Sequence, residues 1–331
     1  MIEFYSAKHS YYDEYKSCCV HNCVRQILEY YGFEDASLLI NSNYSFNVKI
    51  ELNEREIIIG REPSNILTGN LNNYLCTVDR NRLSVEKIME QDQLLLKENI
   101  PIAVDVDIFY LPYDVHYKKS NCLHTIVYCG SEDNRCYLVD IGERTQFCGT
   151  ISYSEYMNAR LSENPECRNL YSGQPVLFRE LYISRDIIDV ANYKESFIEN
   201  LTNIERYYDK LDVLLDLKDF FSFSCNKKVK ISQEQLSQLY YPLYSINRKR
   251  KLFKFQLSIL LIKGIDTNGL CDDFDEVLKK WEYILLLLLK MKYIEENYRS
   301  CQKIVAYIEQ IYFMEVKIHG KIIILKEKLT S

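Results

Sequence analysis

Cys19 stands where a cysteine can do chemistry. Val20, Val24, Ile27, Leu28 and Tyr31 recur at helical spacing and stop at Gly32, which predicts a helix from about Ser17, as N-cap, to a glycine C-cap. A cysteine in the first turn of such a helix lies in the partial positive charge of the backbone dipole. That charge favours thiolate over thiol and makes Cys19 a candidate nucleophile. Cys23, one turn later, follows the apolar stripe and reads as a small core residue. Cys18 points about 100° away around the helix, so only one of the adjacent pair faces a given cleft. Taken alone, Cys19 has a competing reading as one more buried cysteine.

A base and an acid emerge from strand register. Leu123 to Gly130 and Cys136 to Ile141 read as two strands joined by a turn over Ser131 to Arg135. An antiparallel hairpin turning near residue 132 or 133 sets His124 opposite Asp140. Directly opposed side chains have Cβ atoms about 4.5–5.5 Å apart, close enough for a carboxylate to fix one tautomer of an imidazole. The chain thus offers a helix-start cysteine, then a histidine and an aspartate on neighbouring strands, the parts of a cysteine-nucleophile triad. His116 sits in a polar loop and either lines the cleft or is simply solvated. His21 faces away from Cys19 on the same helix, and His9 and His319 lie near the ends of the sequence. Asp105 and Asp107 share one strand face and read as structural or pocket-lining.

The elements that must position these residues divide the chain in two. Before residue 184 the periods are mixed: the first helix, a hairpin over Val48 to Leu52 and Ile57 to Ile59, a helix over Ser84 to Glu98, and a strand over Ile102 to Ile108. The two strands above follow, then a short helix near Ser152 to Arg160 and a strand over Val176 to Ile183. Beyond Ser184 only long helical patterns remain, over Tyr193 to Phe221, Gln233 to Lys263, Phe274 to Asn297 and Tyr298 to Lys328, the last two forming one long helix or a hairpin. The expected architecture is α+β, with residues 1–184 as a catalytic domain and residues 185–331 as an all-helical one.

Composition narrows the function classes. Of 331 residues, 47% are apolar and 27% charged, with only 10 Gly and 6 Pro, which excludes a disordered or collagenous chain. Met1 to Tyr15 has no apolar stretch of the kind that directs secretion, and the 12 cysteines are sparse for so long a chain. A reduced, cytoplasmic protein is expected. The longest apolar run, Tyr283 to Leu289, is far short of the roughly 20 residues that span a bilayer, so no membrane is expected. The cluster Cys18, Cys19, His21 and Cys23 has no second ligand pair at zinc spacing, so no metal is expected either. Residues 1–184 carry 17 Lys and Arg against 26 Asp and Glu, a net of −9, which argues against nucleic acid as a partner. Residues 185–331 carry a net of +3, with Arg248, Lys249, Arg250, Lys251 and Lys254 bunched together. That bunch is either a solvated helix face or a dock for an acidic protein partner.

Two stretches carry a resemblance. Cys19-Val-His-Asn-Cys23 with Ile27-Leu28-Glu29-Tyr30-Tyr31-Gly32 resembles the opening of papain-like bacterial cysteine enzymes, including bacteriocin-leader peptidases. Asp107-Ile-Phe-Tyr-Leu111-Pro112-Tyr113, His124-Thr-Ile-Val-Tyr-Cys-Gly130 and Tyr137-Leu-Val-Asp140 resemble the N-terminal domain of the butirosin-biosynthesis acyltransferase (BtrH-like) family. Amide synthases of closthioamide-type assembly resemble the same group. The resemblance covers about residues 15 to 160 in pieces, and it implies a papain-like cysteine-protease fold and an acyltransferase with Cys19 as nucleophile, His124 as base and Asp140 as orienting acid. Tyr110, Tyr113 and His116 are then the expected substrate-binding residues. The implied partners are an acyl or peptidyl carrier protein, which brings its own phosphopantetheine, and a small amine, a diamine or an aminoglycoside-like acceptor. The enzyme needs no cofactor of its own. A peptidase on the same triad and a non-catalytic papain-like binding module are the competing readings. The chain departs from the family pattern in its polar hairpin region Asn41 to Asn73, where a glycine-rich segment is expected. It also has Asp13 six residues before Cys19, where papain-like enzymes often place a glutamine as oxyanion donor. The oxyanion must then be held by the backbone N–H of Cys19 and a second donor.

Overall fold

The computed structural model describes residues 18–42, 44, 48–51, 56–59, 65–79, 83–142, 145–167, 179–207, 211–293 and 297–331. Ser17, Asp13 and the Met1 to Tyr15 segment lie outside the described residues, as does the start of the strand expected from Val176. In chain order the elements are α1 (Cys19–Tyr30), β1 (Val48–Glu51), β2 (Glu56–Ile59), β3 (Leu75–Asp79), α2 (Val85–Lys97), β4 (Ile102–Asp107), β5 (Leu123–Glu132), β6 (Arg135–Ile141) and β7 (Gln146–Ser152). They continue with α3 (Tyr153–Arg160), β8 (Arg179–Ile183), α4 (Ile187–Val190), α5 (Tyr193–Tyr207), α6 (Val213–Asn226), α7 (Gln233–Ile262), α8 (Leu270–Tyr293) and α9 (Asn297–Thr330). The protein is α+β. Among the described residues no helix is long and apolar enough to cross a membrane.

The chain divides into two compact units, Met1–Ile40 with Ile66–Tyr193, and Asn41–Asn65 with Lys194–Ser331. The boundary therefore falls nine residues later than the expected 184/185, because Tyr193 is tied back to the first unit. The Tyr193 hydroxyl accepts from the Asp35 N–H at 3.5 Å, and its ring meets Phe33 edge-on. The hairpin region is also split. Residues 41–65 go with the helices, where Asn200 Oδ1 accepts from both the N–H and the hydroxyl of Ser42.

In the first unit six strands form one antiparallel sheet in the order β3-β8-β4-β5-β6-β7. All six residues of β4 are buried, so its alternation of apolar residues with Asp105 and Asp107 does not mark a solvent face. Both carboxylates are satisfied internally instead. Periodicity missed β3, which has only five residues, and β7, whose half-buried sequence with Gly149 at its centre shows no clean alternation.

In the second unit the polar and ring contacts climb α8 as they descend α9. Asp273 pairs with Lys317 and Lys321, Lys280 donates to Gln310, and Tyr283 stacks on Tyr307. Only an antiparallel pair gives that order, so the expected long helix or hairpin is a hairpin. The single helix expected over 193–221 is two, α5 and α6, with a turn at 211–212 between them. The basic bunch on α7 is not one exposed face. Arg250 is fully buried, its Nε bonded to Glu315 Oε1 at 2.5 Å, while Lys251 pairs with Glu282 and Lys254 with Asp275. A helix turns about 100° per residue, so five nearly consecutive cations cannot share one side.

Candidate active site

The cysteine helix is built as the spacing predicts, but it begins later. Cys18 is the N-cap, in extended conformation with no side-chain cap, and Cys19 is the first helical residue. At the other end Gly32 takes φ +97°, its N–H reaches Glu29 O, and the Phe33 N–H reaches Leu28 O at 3.1 Å. This pattern closes the helix through a left-handed glycine. Cys23 is buried and its thiol donates to Thr125 O at 3.3 Å. Burial, then the neighbouring Cys19 and Asp140, push the Cys23 thiol well above its ordinary pKa, so it stays a protonated core residue. Cys18 is exposed.

The hairpin that brings the base to the acid turns on Asp133 and Asn134, both in the left-handed region at φ +46° and +62°. This is a two-residue turn, tighter than the expected Ser131 to Arg135. Between Tyr128 and Gly130 the register slips by a bulge and settles at Val127 opposite Val139. Continued along the strands, this register sets Asp140 opposite Ile126. His124 is therefore not directly opposite Asp140, as the simple turn predicted, but diagonal to it on the same face of the sheet. An imidazole is long enough to span a diagonal pair, and His124 Nε2 lies 2.9 Å from Asp140 Oδ1.

Asp140 is 3% exposed and its other oxygen is held as well. The Tyr113 hydroxyl donates to Oδ2 at 3.3 Å, and the Tyr113 ring stacks at 3.8 Å on Phe147, the residue opposite Asp140 on β7. Burial and then the Asp140 charge hold the Tyr113 phenol well above its ordinary pKa, so it remains a donor. For His124 burial works toward the neutral ring, but the charge and hydrogen bond of Asp140, followed by Cys19, outweigh it and raise the pKa well above the usual imidazole value. Cys19 is one of the neighbours that raise it, and its thiol lies against Thr125, the residue next to His124 on β5. With Nε2 on the carboxylate, Nδ1 is left for the thiol, the reverse of the serine-protease arrangement, where the carboxylate takes Nδ1.

The Cys19 thiol has a second neighbour that spacing alone did not show. It donates to Thr125 Oγ1 at 3.6 Å, and the Thr125 hydroxyl in turn donates to buried Asp105 at 2.7 Å. Asp107, two residues on, serves the adjoining loop. It accepts from the Phe109 N–H, the Cys122 N–H, Asn121 Nδ2 and the Ser162 hydroxyl. Burial opposes its charge, yet these donors, Ser162 foremost, hold its pKa below the ordinary carboxylate value.

The expected substrate-binding residues separate. Tyr113 backs the acid and is not free to meet a substrate. Tyr110 is half-buried and packs edge-on against Phe109 at 5.0 Å, with no hydrogen bond to the Cys19, His124 and Asp140 set among the described residues. The His116 ring is 40% exposed and bonded through Nδ1 to Asp114 at 2.8 Å, so only its other edge is open. Missed by the sequence reading were Thr125, whose signal was its place beside His124, and Phe147. No protein-family model matches the chain, and no curated protein is significantly similar to it.

Proposed function

We propose that the chain is a cytoplasmic, papain-like cysteine acyltransferase of the amide-synthase type. On this reading it passes an acyl or peptidyl chain from a carrier-protein thioester, through an acyl-enzyme on Cys19, to an amine. The single observation that carries the proposal is Cys19 at a helix start with its thiol against Thr125, and, next to Thr125 on the same strand, His124 bonded to Asp140.

The thiol proton passes to His124, and Cys19 Sγ attacks the thioester carbonyl. The tetrahedral intermediate collapses, the carbon–sulfur bond to the carrier's phosphopantetheine breaks, and His124 returns its proton to the departing thiolate. Neutral His124 then accepts the proton of the attacking amine, an amide leaves, and Cys19 is regenerated. Asp140 orients the ring throughout and Tyr113 holds Asp140. Thioester exchange is nearly balanced in free energy and amide formation pulls it forward, so no nucleotide is consumed. Hydrolysis is the competing fate of the acyl-enzyme, and excluding water falls to the cleft.

The test is incubation with an acyl N-acetylcysteamine thioester, followed by peptide mass spectrometry that separates Cys18 from Cys19. We expect the acyl mass on Cys19 and its conversion to an amide when a diamine is added. Acylation of Cys18 with Cys19 free would overturn the assignment. Release as free acid whether or not amine is present would make the protein a hydrolase, and no acylation at all would make it a binding module.

A further inference from the structure

We propose that Asn22 supplies the second donor of the oxyanion hole, beside the backbone N–H of Cys19. The inference rests on the acyl-transfer reading above. Attack on a carbonyl moves a negative charge onto its oxygen, and that oxygen needs donors already in place. The Cys19 N–H is one, since the first N–H groups of a helix have no carbonyl a turn behind them. A second must come from a side chain near the same turn.

Asn22 lies three residues after Cys19, hence on the same side of α1. Helix side chains lean toward the N-terminus, so the Asn22 carboxamide covers the turn that Cys19 opens. The residue is only 6% exposed; its Oδ1 is a buried acceptor with no hydrogen-bond partner, and its Nδ2 makes no hydrogen bond among the described residues. It is this unbonded Nδ2–H donor that is open to an anionic ligand. Gln26, one turn further along α1, differs at the nitrogen alone: its Oε1 also lacks a partner among the described residues, but its Nε2 donates to Ile141 O at 3.1 Å.

The space beside Nδ2 is also kept clear. A Cβ added to Gly142 would lie 3.4 Å from Asn22 Nδ2, and Gly142 follows directly on the strand that carries Asp140. The Asp140 carboxylate two residues earlier bonds His124. The Nδ2–H thus sits where the nucleophile's helix meets the end of the strand that carries Asp140. In the step proposed, the sulfur–carbon bond forms as the carbonyl π pair moves to oxygen, and Asn22 Nδ2–H and Cys19 N–H donate to that oxygen. Collapse returns the pair and expels the pantetheine thiolate, which takes its proton from His124. Asn22 neither gains nor loses a proton.

Two rates measured on the full chain separate this role from a structural one. Acylation by an N-acetylcysteamine thioester passes through an oxyanion; alkylation of Cys19 by iodoacetamide, a displacement at saturated carbon, does not. Asn22→Ala should slow acylation about 100- to 1,000-fold and leave alkylation at the wild-type rate. Asn22→Asp, equal in shape but without the donor, should be at least as slow in acylation. Gly142→Ala, which keeps Asn22 and sets a methyl against its Nδ2, should also slow acylation selectively, and serves if the Asn22 variants do not fold. Equal loss of both rates would make Asn22 a packing residue, and unchanged acylation would remove it from the site; either overturns the inference while the acyl-transfer reading stands. A wild-type protein that alkylates at Cys19 but takes no acyl group would overturn that reading itself, and the inference with it.

Discussion

The two units each contain a nitrogen-bearing side chain, a carboxylate and a tyrosine in the same order of contact. In the sheet unit His124 bonds Asp140, whose second oxygen accepts from Tyr113; in the helical unit Arg250 bonds Glu315, whose second oxygen accepts from Tyr44 at 2.5 Å. What differs is the group the acid holds and what surrounds it. The His124 side chain is 24% exposed and stands next to Thr125, which the Cys19 thiol meets, whereas Arg250 and Glu315 are wholly buried, the guanidinium lying 4.3 Å from the Tyr44 ring centre and 5.8 Å from that of Trp281. A carboxylate backed by a phenol is therefore not a catalytic sign in itself. It becomes one when it orients a group that titrates and has an open edge beside a nucleophile.

The largest effects that bear on this contrast are on rate. Cys19→Ala should abolish acyl transfer, and His124→Ala should lose nearly as much, because residues of one catalytic unit fail together. Asp140→Asn should lose less, by roughly ten- to a hundredfold, since the carboxylate orients the ring without exchanging the proton. Single-turnover acylation of the three variants ranks them. Near-wild-type turnover in His124→Ala would break the contrast and make His116 the next base to test.

The corresponding change in the helical unit should read out in stability. Glu315→Ala leaves a buried guanidinium without its partner, which costs about 3–5 kcal/mol, while a paired Arg250→Met, Glu315→Leu replacement should recover most of that loss. Urea unfolding of the helical unit measures both. A loss under about 1 kcal/mol in Glu315→Ala would mean that the pair is solvated in solution and that the contrast with His124 is one of position only.

How much of this was legible follows from the range over which each signal acts. Cys19, His124 and Asp140 could be read because helix starts and hairpin registers are local, and the diagonal offset came from a bulge at Cys129 that no spacing announces. Long helices were found by period, and the α8 and α9 hairpin was left open because residues 294–296 carry no glycine or proline stop. Contacts between segments far apart in sequence were invisible: Arg250 with Glu315 spans 65 residues, and Tyr44 with Glu315 spans 271. The burial of Arg250 in particular overrode what its charged neighbours suggested. Thr125 was hidden for another reason, since a threonine in a strand is ordinary and its place beside His124 gains meaning only through its bonds to Cys19 and Asp105.

A smaller effect separates the two pairs by pH. His124 has its folded-state pKa raised, Asp140 outweighing the cost of burial, so the stability contributed by its pair is fully present below the unfolded value of about 6.5. That contribution fades as pH rises through the raised folded value. The stability difference between wild type and His124→Ala should therefore shrink toward alkaline pH. The Glu315→Ala deficit should not change over the same range, because a guanidinium does not titrate there. Thermal unfolding of the variants from pH 6 upward checks the sign, and a His124 deficit that grows with pH would contradict it.

The smallest effect concerns the rest of the basic bunch. Lys251 and Lys254 are partly exposed and each holds one acid on α8, Glu282 or Asp275, whose side chains are about half exposed. Exposed pairs of this kind contribute about 0–1 kcal/mol, so Lys251→Glu with Lys254→Glu should lower stability by no more than about 2 kcal/mol, repulsion included. If the bunch docks an acidic carrier, the same double reversal should raise KM for carrier-bound thioester and leave the N-acetylcysteamine thioester unaffected, with less salt dependence than wild type. The burial of Arg250 and the pairing of both lysines argue for the other outcome, in which carrier-bound and small thioesters respond alike. A selective rise in KM would show that charges already engaged within the helical unit still steer a partner, and would extend the contrast: Arg250 would be sealed for structure while its neighbours on the same helix serve recognition.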